Sequence, residues 1–375
     1  MAGLYIHIPF CKRKCLYCDF YSCTDLSVKD AYVDALVDEM SLRRKYITKV
    51  DTVYFGGGTP SLMSAKDFVR IFSSINKLFD LSNCAEITVE INPDDITPEY
   101  ADALAELPFN RVSIGIQTFD DDELHFLNRR HDALQAVEAV KRCQDAGFTN
   151  ISIDLIYGLP GQTLSSWDKN LECALALGVP HISAYHLIYE ENTPITQLKD
   201  TGKIIPVDED TSLLLFSRLI ERLSVSGYEH YEISNFSLPG YRSRHNSSYW
   251  DGTAYLGLGP FAHSYNGCDE REWNIASLPA YLEGIRNRSP RITSERLDLP
   301  TRYNEYIITR LRTKEGFLSS ELERRFGKEL FAYCLRQAER YIASGMLLRE
   351  ENDRIRLSEK GILVSDSIMC DLMKV

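Results

Sequence analysis

The stretch from Leu4 to Cys18, LYIHIPFCKRKCLYC, decides how the rest of the chain is read. Leu4 to Ile8 is a short β-branched and aromatic run, which predicts a strand. Directly after it, Cys11, Cys15 and Cys18 form a CxxxCxxC triplet on one short loop. Three thiolates that close together can converge on one metal or cluster. A structural zinc would want a fourth ligand, with Cys23 or His7 nearby. An iron–sulfur cluster with three protein ligands leaves one iron open to a substrate or cofactor. Lys12, Arg13 and Lys14 on the same loop are expected to favour the thiolate forms.

Outward from this loop, five more runs of strand character follow: Asp51 to Phe55, Glu86 to Ile91, Arg111 to Ile116, Asn150 to Ile156 and His181 to Ile188. Apolar residues at helical spacing lie between them, as in Phe68, Ile71, Phe72, Ile75 and Leu78. Six βα units predict an α/β fold with a parallel sheet, as an open partial (β/α)6 barrel ahead of a doubly wound sheet. Residues 1–226 are assigned to it. Residues 227–299, rich in Tyr, Asn, Ser and Gly, read as a loop-rich connector or lid. Residues 300–375 show helix, helix and hairpin, the order of a small winged-helix-like α+β domain. From Arg296 onward there are 15 Lys and Arg against 13 Asp and Glu, too even for a DNA-reading wing, so this domain is taken as a packing or interaction module.

The whole chain of 375 residues has 42 Lys and Arg against 54 Asp and Glu, a net charge of −12. That sign opposes general affinity for nucleic acid or anionic membranes. The start has no apolar run ending in small residues, and no stretch reaches membrane-spanning length. A cytoplasmic protein is expected, with membrane association only through partners. In that reducing setting the 10 cysteines read as metal ligands or thiols rather than disulfides.

Further motifs stand where a barrel places its site. Gly56-Gly57-Gly58-Thr59-Pro60-Ser61 follows the second strand, and its backbone N–H groups can approach carboxylate or phosphate oxygens. Glu90 and Asn92, Gln117, and Asp154 lie at or near the carboxyl ends of strands three, four and five. In barrel enzymes that end carries the chemistry, so these residues are expected to converge on the cysteine loop. Capping of the following helices is the alternative for each one alone.

CxxxCxxC with Tyr17 before the last cysteine, followed by GGGTP, resembles the radical S-adenosylmethionine superfamily. Tyr5, GGGTPS, Glu90 in EINP, SIGIQTF at 113–119, Asn128-Arg129-Arg130-His131 and IDLIYGLPGQT at 153–163 are similar to the oxygen-independent coproporphyrinogen dehydrogenase group, over nearly the whole chain. The resemblance implies that Cys11, Cys15 and Cys18 hold a 4Fe-4S cluster whose open iron is chelated by S-adenosylmethionine, which reduction would cleave to a 5'-deoxyadenosyl radical. It implies that Tyr5, Gly57, Gly58, Thr59, Glu90, Gln117, Arg129 and Asp154 surround that cofactor.

Two branches of the group differ in ways visible here. The dehydrogenase branch resembles CxxxCxxCxC with a longer N-terminal extension, whereas this chain has Phe20 at the fourth cysteine position and ten residues before Cys11. The heme-chaperone branch is similar in CDF, Cys18-Asp19-Phe20, and in HNxxYW, His245-Asn246-Ser247-Ser248-Tyr249-Trp250. This implies heme binding and delivery to acceptor proteins, respiratory ones among them, with His245, Tyr249 and Trp250 at the heme. His263, His230, Cys268 and His7 stand as alternative iron ligands. Oxidative decarboxylation of coproporphyrinogen III and a zinc-containing interaction protein are the competing readings.

Overall fold

In the computed structural model, which describes residues 2–374, six strands lie side by side in chain order, all parallel. They are β1 (Ala2–Ile8), β2 (Thr52–Gly57), β3 (Glu86–Ile91), β4 (Arg111–Gln117), β5 (Ile151–Tyr157) and β6 (His181–His186). The returning segments carry α1 (Lys29–Arg43), α2 (Ala65–Leu78), α3 (Pro98–Ala105), α4 (Asp121–Phe126), α5 (Ala133–Asp145) and α6 (Leu164–Ala176). These strands coincide within about two residues with the runs read from sequence.

Alternation along the strands sorts two environments. Leu4, Ile6, Ile8, Val53 and Phe55 are fully buried in the main core. At about 1.5–3 kcal/mol for each fully buried large apolar side chain, this layer drives the sheet and helices together. The intervening positions, Tyr5, His7, Tyr54, Thr88, Glu90, Ser113 and Asp154, are polar or aromatic. Ser64 with Asp67 and Asp132 with Gln135 form reciprocal caps that start α2 and α5.

After α7 (Pro194–Asp200) and α8 (Glu209–Val225), the stretch 227–299 departs from the loop-rich lid expected of it. β7 (Glu229–Glu232) and β8 (Asn235–Ser237) add antiparallel to β6. After α9 (Arg244–Trp250), β9 (Ala254–Leu258) pairs parallel with β1 at the other side. β10 (His263–Tyr265) and β11 (Glu270–Asn274) follow antiparallel, and α10 (Leu278–Arg286) leads to β12 (Ile292–Arg296). The result is one sheet of 12 strands with edges β12 and β7. Strands of three to five residues with Tyr, Asn and Ser have little periodicity of their own. They form because β1 and β6 offer unpaired edges.

The last region is α11 (Leu299–Leu311), β13 (Phe317–Leu318), α12 (Ser319–Ala343), β14 (Leu347–Arg349), β15 (Arg354–Leu357), α13 (Glu359–Ile362) and α14 (Ser365–Leu372). Its strands form a separate antiparallel sheet in the order β13-β15-β14. Gly327, at φ 84°, breaks α12 into two helical pieces. Tyr303, Ile307, Phe317, Leu322 and Ile355 centre a core of its own. Backbone hydrogen bonds from Ile233 to Arg312 (3.1 Å) and from Lys314 to Tyr231 (3.0 Å) join it to the main sheet.

Candidate functional site

The site is built at the carboxyl ends of the parallel strands. The cysteine loop leaves β1 and is tied back by Cys11 N–H to Cys23 C=O (3.0 Å) and Cys23 N–H to Pro9 C=O (2.6 Å). From across the sheet Asn128, left-handed at φ 62°, donates its Nδ2 to Lys14 C=O at 2.8 Å, and Leu16 N–H donates to Leu127 C=O at 3.2 Å. The segment after α4 therefore clamps the loop over the sheet.

A cavity of about 430 Å³ opens beneath it, within the range of small-molecule and cofactor sites. Cys11, Cys15 and Cys18 border it, together with Gly57, Gly58, Thr59, Glu90, Gln117, Arg129 and Asp154. Seven of the eight residues expected at a cofactor thus share one wall system with the three thiols. Tyr5 is the exception: its hydroxyl meets His7 Nδ1 at 3.1 Å and its ring stacks on Tyr54, one layer behind the wall.

Two backbone features shape this cavity. Gly57 has φ +106°, and a Cβ there would fall 2.5 Å from the His7 ring. Gln117 is a non-glycine at φ 73°, where the β4–β5 register slips between Gly115 and Gln117. This is a bulge that re-aims the strand end, and the His131 Nε2 contact with Ile116 C=O at 3.1 Å holds it.

The side chains carry opposed charges into low dielectric. Arg129 donates to Asn92 Oδ1 (2.8 Å), to Gly115 C=O (2.5 Å) and to Cys15 Sγ (3.5 Å). Its Nε is buried with no hydrogen-bond partner among the described residues. Glu90 accepts from Tyr54 hydroxyl at 2.7 Å and Gly57 N–H at 3.2 Å. Burial, with Asp154 nearby, pushes its carboxyl up to about 7. Asp154 accepts from Ser113 at 3.3 Å and is likewise raised by burial.

Of the basic residues of the loop, Lys14 favours the Cys18 thiolate as expected, but as a lesser influence than burial. Lys12 pairs with Asp95 at 2.8 Å, and Arg13 reaches Asn128 at 3.4 Å. Burial dominates the thiols instead, raising Cys11 and taking Cys18 up to about 11. Ligation rather than local charge must supply the thiolate state.

These residues fit an iron–sulfur cluster with S-adenosylmethionine. The thiols border a cavity that leaves room beside them for a ligand, as a cluster with one open iron requires. The orphaned Arg129 Nε offers a buried donor for a carboxylate, and Glu90 and Asp154 offer acceptors for an amino group or ribose hydroxyls. Sequence reasoning did not single out Ser113, Gly115, Tyr185 and His186 on the same wall. Period-two alternation from Gln117 back along β4 would have found the first two.

The HNSSYW segment lies elsewhere. It forms α9, at the amino ends of the strands, where its N-terminus is capped by Ser243 and docks on Glu86, which accepts Arg244 N–H at 2.8 Å and His245 N–H at 2.9 Å. His245 is buried, with Nδ1 at 2.8 Å from Thr52 Oγ1 and Nε2 at 2.8 Å from Tyr249 hydroxyl. Its ring stacks on Tyr54 at 4.9 Å. Tyr249 and Trp250, but not His245, border a second cavity of about 380 Å³ between β9–β11 and α11.

Two parts of the chain match known families. Residues 5–174 match the radical SAM superfamily and residues 297–364 the HemN C-terminal domain. The chain is 36% identical to the heme chaperone HemW of Lactococcus lactis, over 97% of this chain and 95% of that one. It is 31% identical to HemW of Bacillus subtilis over 98% of both. A solved structure of Escherichia coli HemN, described as a coproporphyrinogen III oxidase and radical SAM enzyme, superposes with a TM-score of 0.84 over 100% of this chain and 90% of that one, at 24% identity. With its thiol-lined cavity at the strand ends and its full-length kinship, the chain belongs to the HemW family of heme chaperones, within the radical SAM superfamily.

Proposed function

We propose that this protein binds heme and passes it to acceptor proteins, on a radical SAM scaffold that holds a 4Fe-4S cluster and S-adenosylmethionine. The kinship with HemW proteins along 97% of the chain is the observation that carries this reading. Cys11, Cys15 and Cys18 would hold the cluster, with Gly57, Gly58, Thr59, Glu90, Gln117, Arg129 and Asp154 around S-adenosylmethionine and Tyr5 bracing them from behind. When bound there, the cluster supplies one electron at a time next to a sulfonium. The chain's own residues shape that place: Arg129 neutralises a carboxylate, the Gly57 turn lets a ligand approach the backbone, and the buried walls exclude water.

Among the described residues no helix is long and apolar enough to cross a membrane. We take the acceptors to be respiratory hemoproteins, reached by docking. The test is an anaerobic heme titration of cluster-loaded protein, followed by mixing with apo-acceptor and reading transfer of the Soret band. Saturable binding and transfer are expected. Failure to bind heme, together with conversion of coproporphyrinogen III to protoporphyrinogen, would replace this reading with the dehydrogenase one.

A further inference from the structure

The second cavity has the chemistry of a site for a flat, anionic, metal-bearing ring. Tyr249, Trp250, Tyr255 and Tyr265 present aromatic surface to it, and Arg302 stands on its α11 side. Arg302 makes no salt bridge among the described residues, its carboxylate neighbour Asp269 acting at longer range, whereas Arg271 is paired with Glu305. Trp250 holds a buried indole N–H that meets no acceptor among the described residues. A buried donor left open on a cavity wall is the mark of a place completed by a ligand or water.

The eight histidines can be sorted by what their ring nitrogens already do. His245 is engaged at both, by Thr52 and Tyr249. So are His7, by Tyr5 hydroxyl and Tyr21 C=O, and His181, by Ser152 and Tyr231. His230 contacts Ile233 C=O and lies face to face with Phe236 at 4.2 Å. His131 and His186 are bonded at Ile116 and Ser212, and His125 is exposed on α4. His263 alone borders the second cavity, and among the described residues neither of its ring nitrogens is hydrogen-bonded. Trp273 stacks on its ring at 5.7 Å and Phe261 meets it edge-on at 5.3 Å. These contacts fix the plane of the imidazole and leave its nitrogens open. Burial lowers its pKa from the ordinary value, which keeps the imidazole in the neutral, ligating form.

We propose that heme seats in this second cavity with His263 as the axial ligand to iron, Arg302 toward a propionate, and Tyr249 and Trp250 as a wall. His245 is then a positioning residue. It holds Tyr249 from behind through the 2.8 Å bond and does not touch iron. This rests on the heme-binding reading above and names the site and ligand for it.

The test is a titration with ferric and ferrous heme, read by absorbance and electron paramagnetic resonance, on wild type, His263→Ala, His245→Ala, His245→Gln and Cys268→Ser. Cluster iron content and circular dichroism check folding. With His263→Ala, heme affinity is expected to fall by about tenfold or more and the Soret maximum to move, and added imidazole should restore the wild-type spectrum. With His245→Ala, affinity should fall while the spectrum of the heme that does bind keeps its wild-type position, and His245→Gln should recover part of the affinity. A His263→Ala protein that binds with unchanged affinity and spectrum would overturn the proposal. So would a spectral change confined to Cys268→Ser or to His245→Ala. Absence of saturable binding by wild type would overturn the heme reading itself, and is distinguishable because no variant then matters.

Discussion

Arg111 shows how much of this molecule is decided by single buried charges. It is 1% exposed, at the start of β4, and its Nε and Nη1 have no hydrogen-bond partner among the described residues. Its positive field helps hold His245 and His181 neutral and partly offsets the burial of Glu90 and Asp154. His245 is the clearest consequence, with a pKa lowered by burial, and by Arg111, to about 3. Between that value and the ordinary 6.5, the unfolded chain binds a proton that the folded chain refuses, so stability is lost as pH falls through this window. His245→Phe removes that penalty but leaves Thr52 and Tyr249 without their partner, which costs about 1–3 kcal/mol at neutral pH. The stability gap between wild type and His245→Phe should therefore narrow by roughly 2 kcal/mol between pH 7.5 and pH 5. Glu90 works in the opposite direction, gaining stability below about 7, but it is present in both chains and cancels in the difference. Urea unfolding at the two pH values measures the gap; a constant gap would mean that His245 is charged in the fold.

At the scale of elements, legibility followed the source of the ordering. The six parallel strands were readable because each is a continuous apolar or alternating run bounded by turn residues, and the converging wall was readable because strand ends follow from strand limits. The wings β7–β8 and β9–β12 were not, since their pairing comes from distant edges rather than from their own periodicity. The same physics hid the position of α9: HNSSYW reads as a ligand motif, yet its histidine is consumed by packing at the opposite end of the strands from the thiols. The turn after β2 was recognised from its glycines, and its geometry now gives a test. An alanine at position 57 must hold φ near +106° with its Cβ driven against the His7 ring, a conformation costing about 1–2 kcal/mol before the clash. Gly57→Ala is expected to weaken S-adenosylmethionine binding by about tenfold or more, measured by anaerobic calorimetry, with iron content unchanged because no thiol moves. Loss of iron in the same variant would show that the turn supports the cysteine loop rather than the ligand.

Across the whole molecule, two cavities divide the labour. The first lies beyond the carboxyl end of β1; the second is bordered by Tyr255, which pairs with Gly3 near the amino end of that strand. They lie toward opposite ends of this strand of 7 residues, with His263 beside Gly257, the partner of Tyr5 at mid-strand. Between them runs a row of buried groups: Glu90 accepts from Tyr54, Tyr54 stacks on His245, and His245 bonds to Tyr249. No thiol of the first cavity borders the second, and neither Arg302 nor His263 borders the first. Loading one cavity therefore does not require the other to be complete. Cys15→Ala should abolish the cluster's visible absorbance and iron content, while heme affinity of the same protein stays within about twofold of wild type. Conversely, Arg302→Glu places a carboxylate where a propionate would lie, and should weaken heme binding by about tenfold or more with the cluster intact. If instead Cys15→Ala abolished heme binding, the heme would have to sit at the cluster's own mouth, where Phe20, Tyr185 and Ile188 leave an exposed apolar rim. The two outcomes separate a carrier with an independent cargo site from one in which cluster and cargo share a cavity.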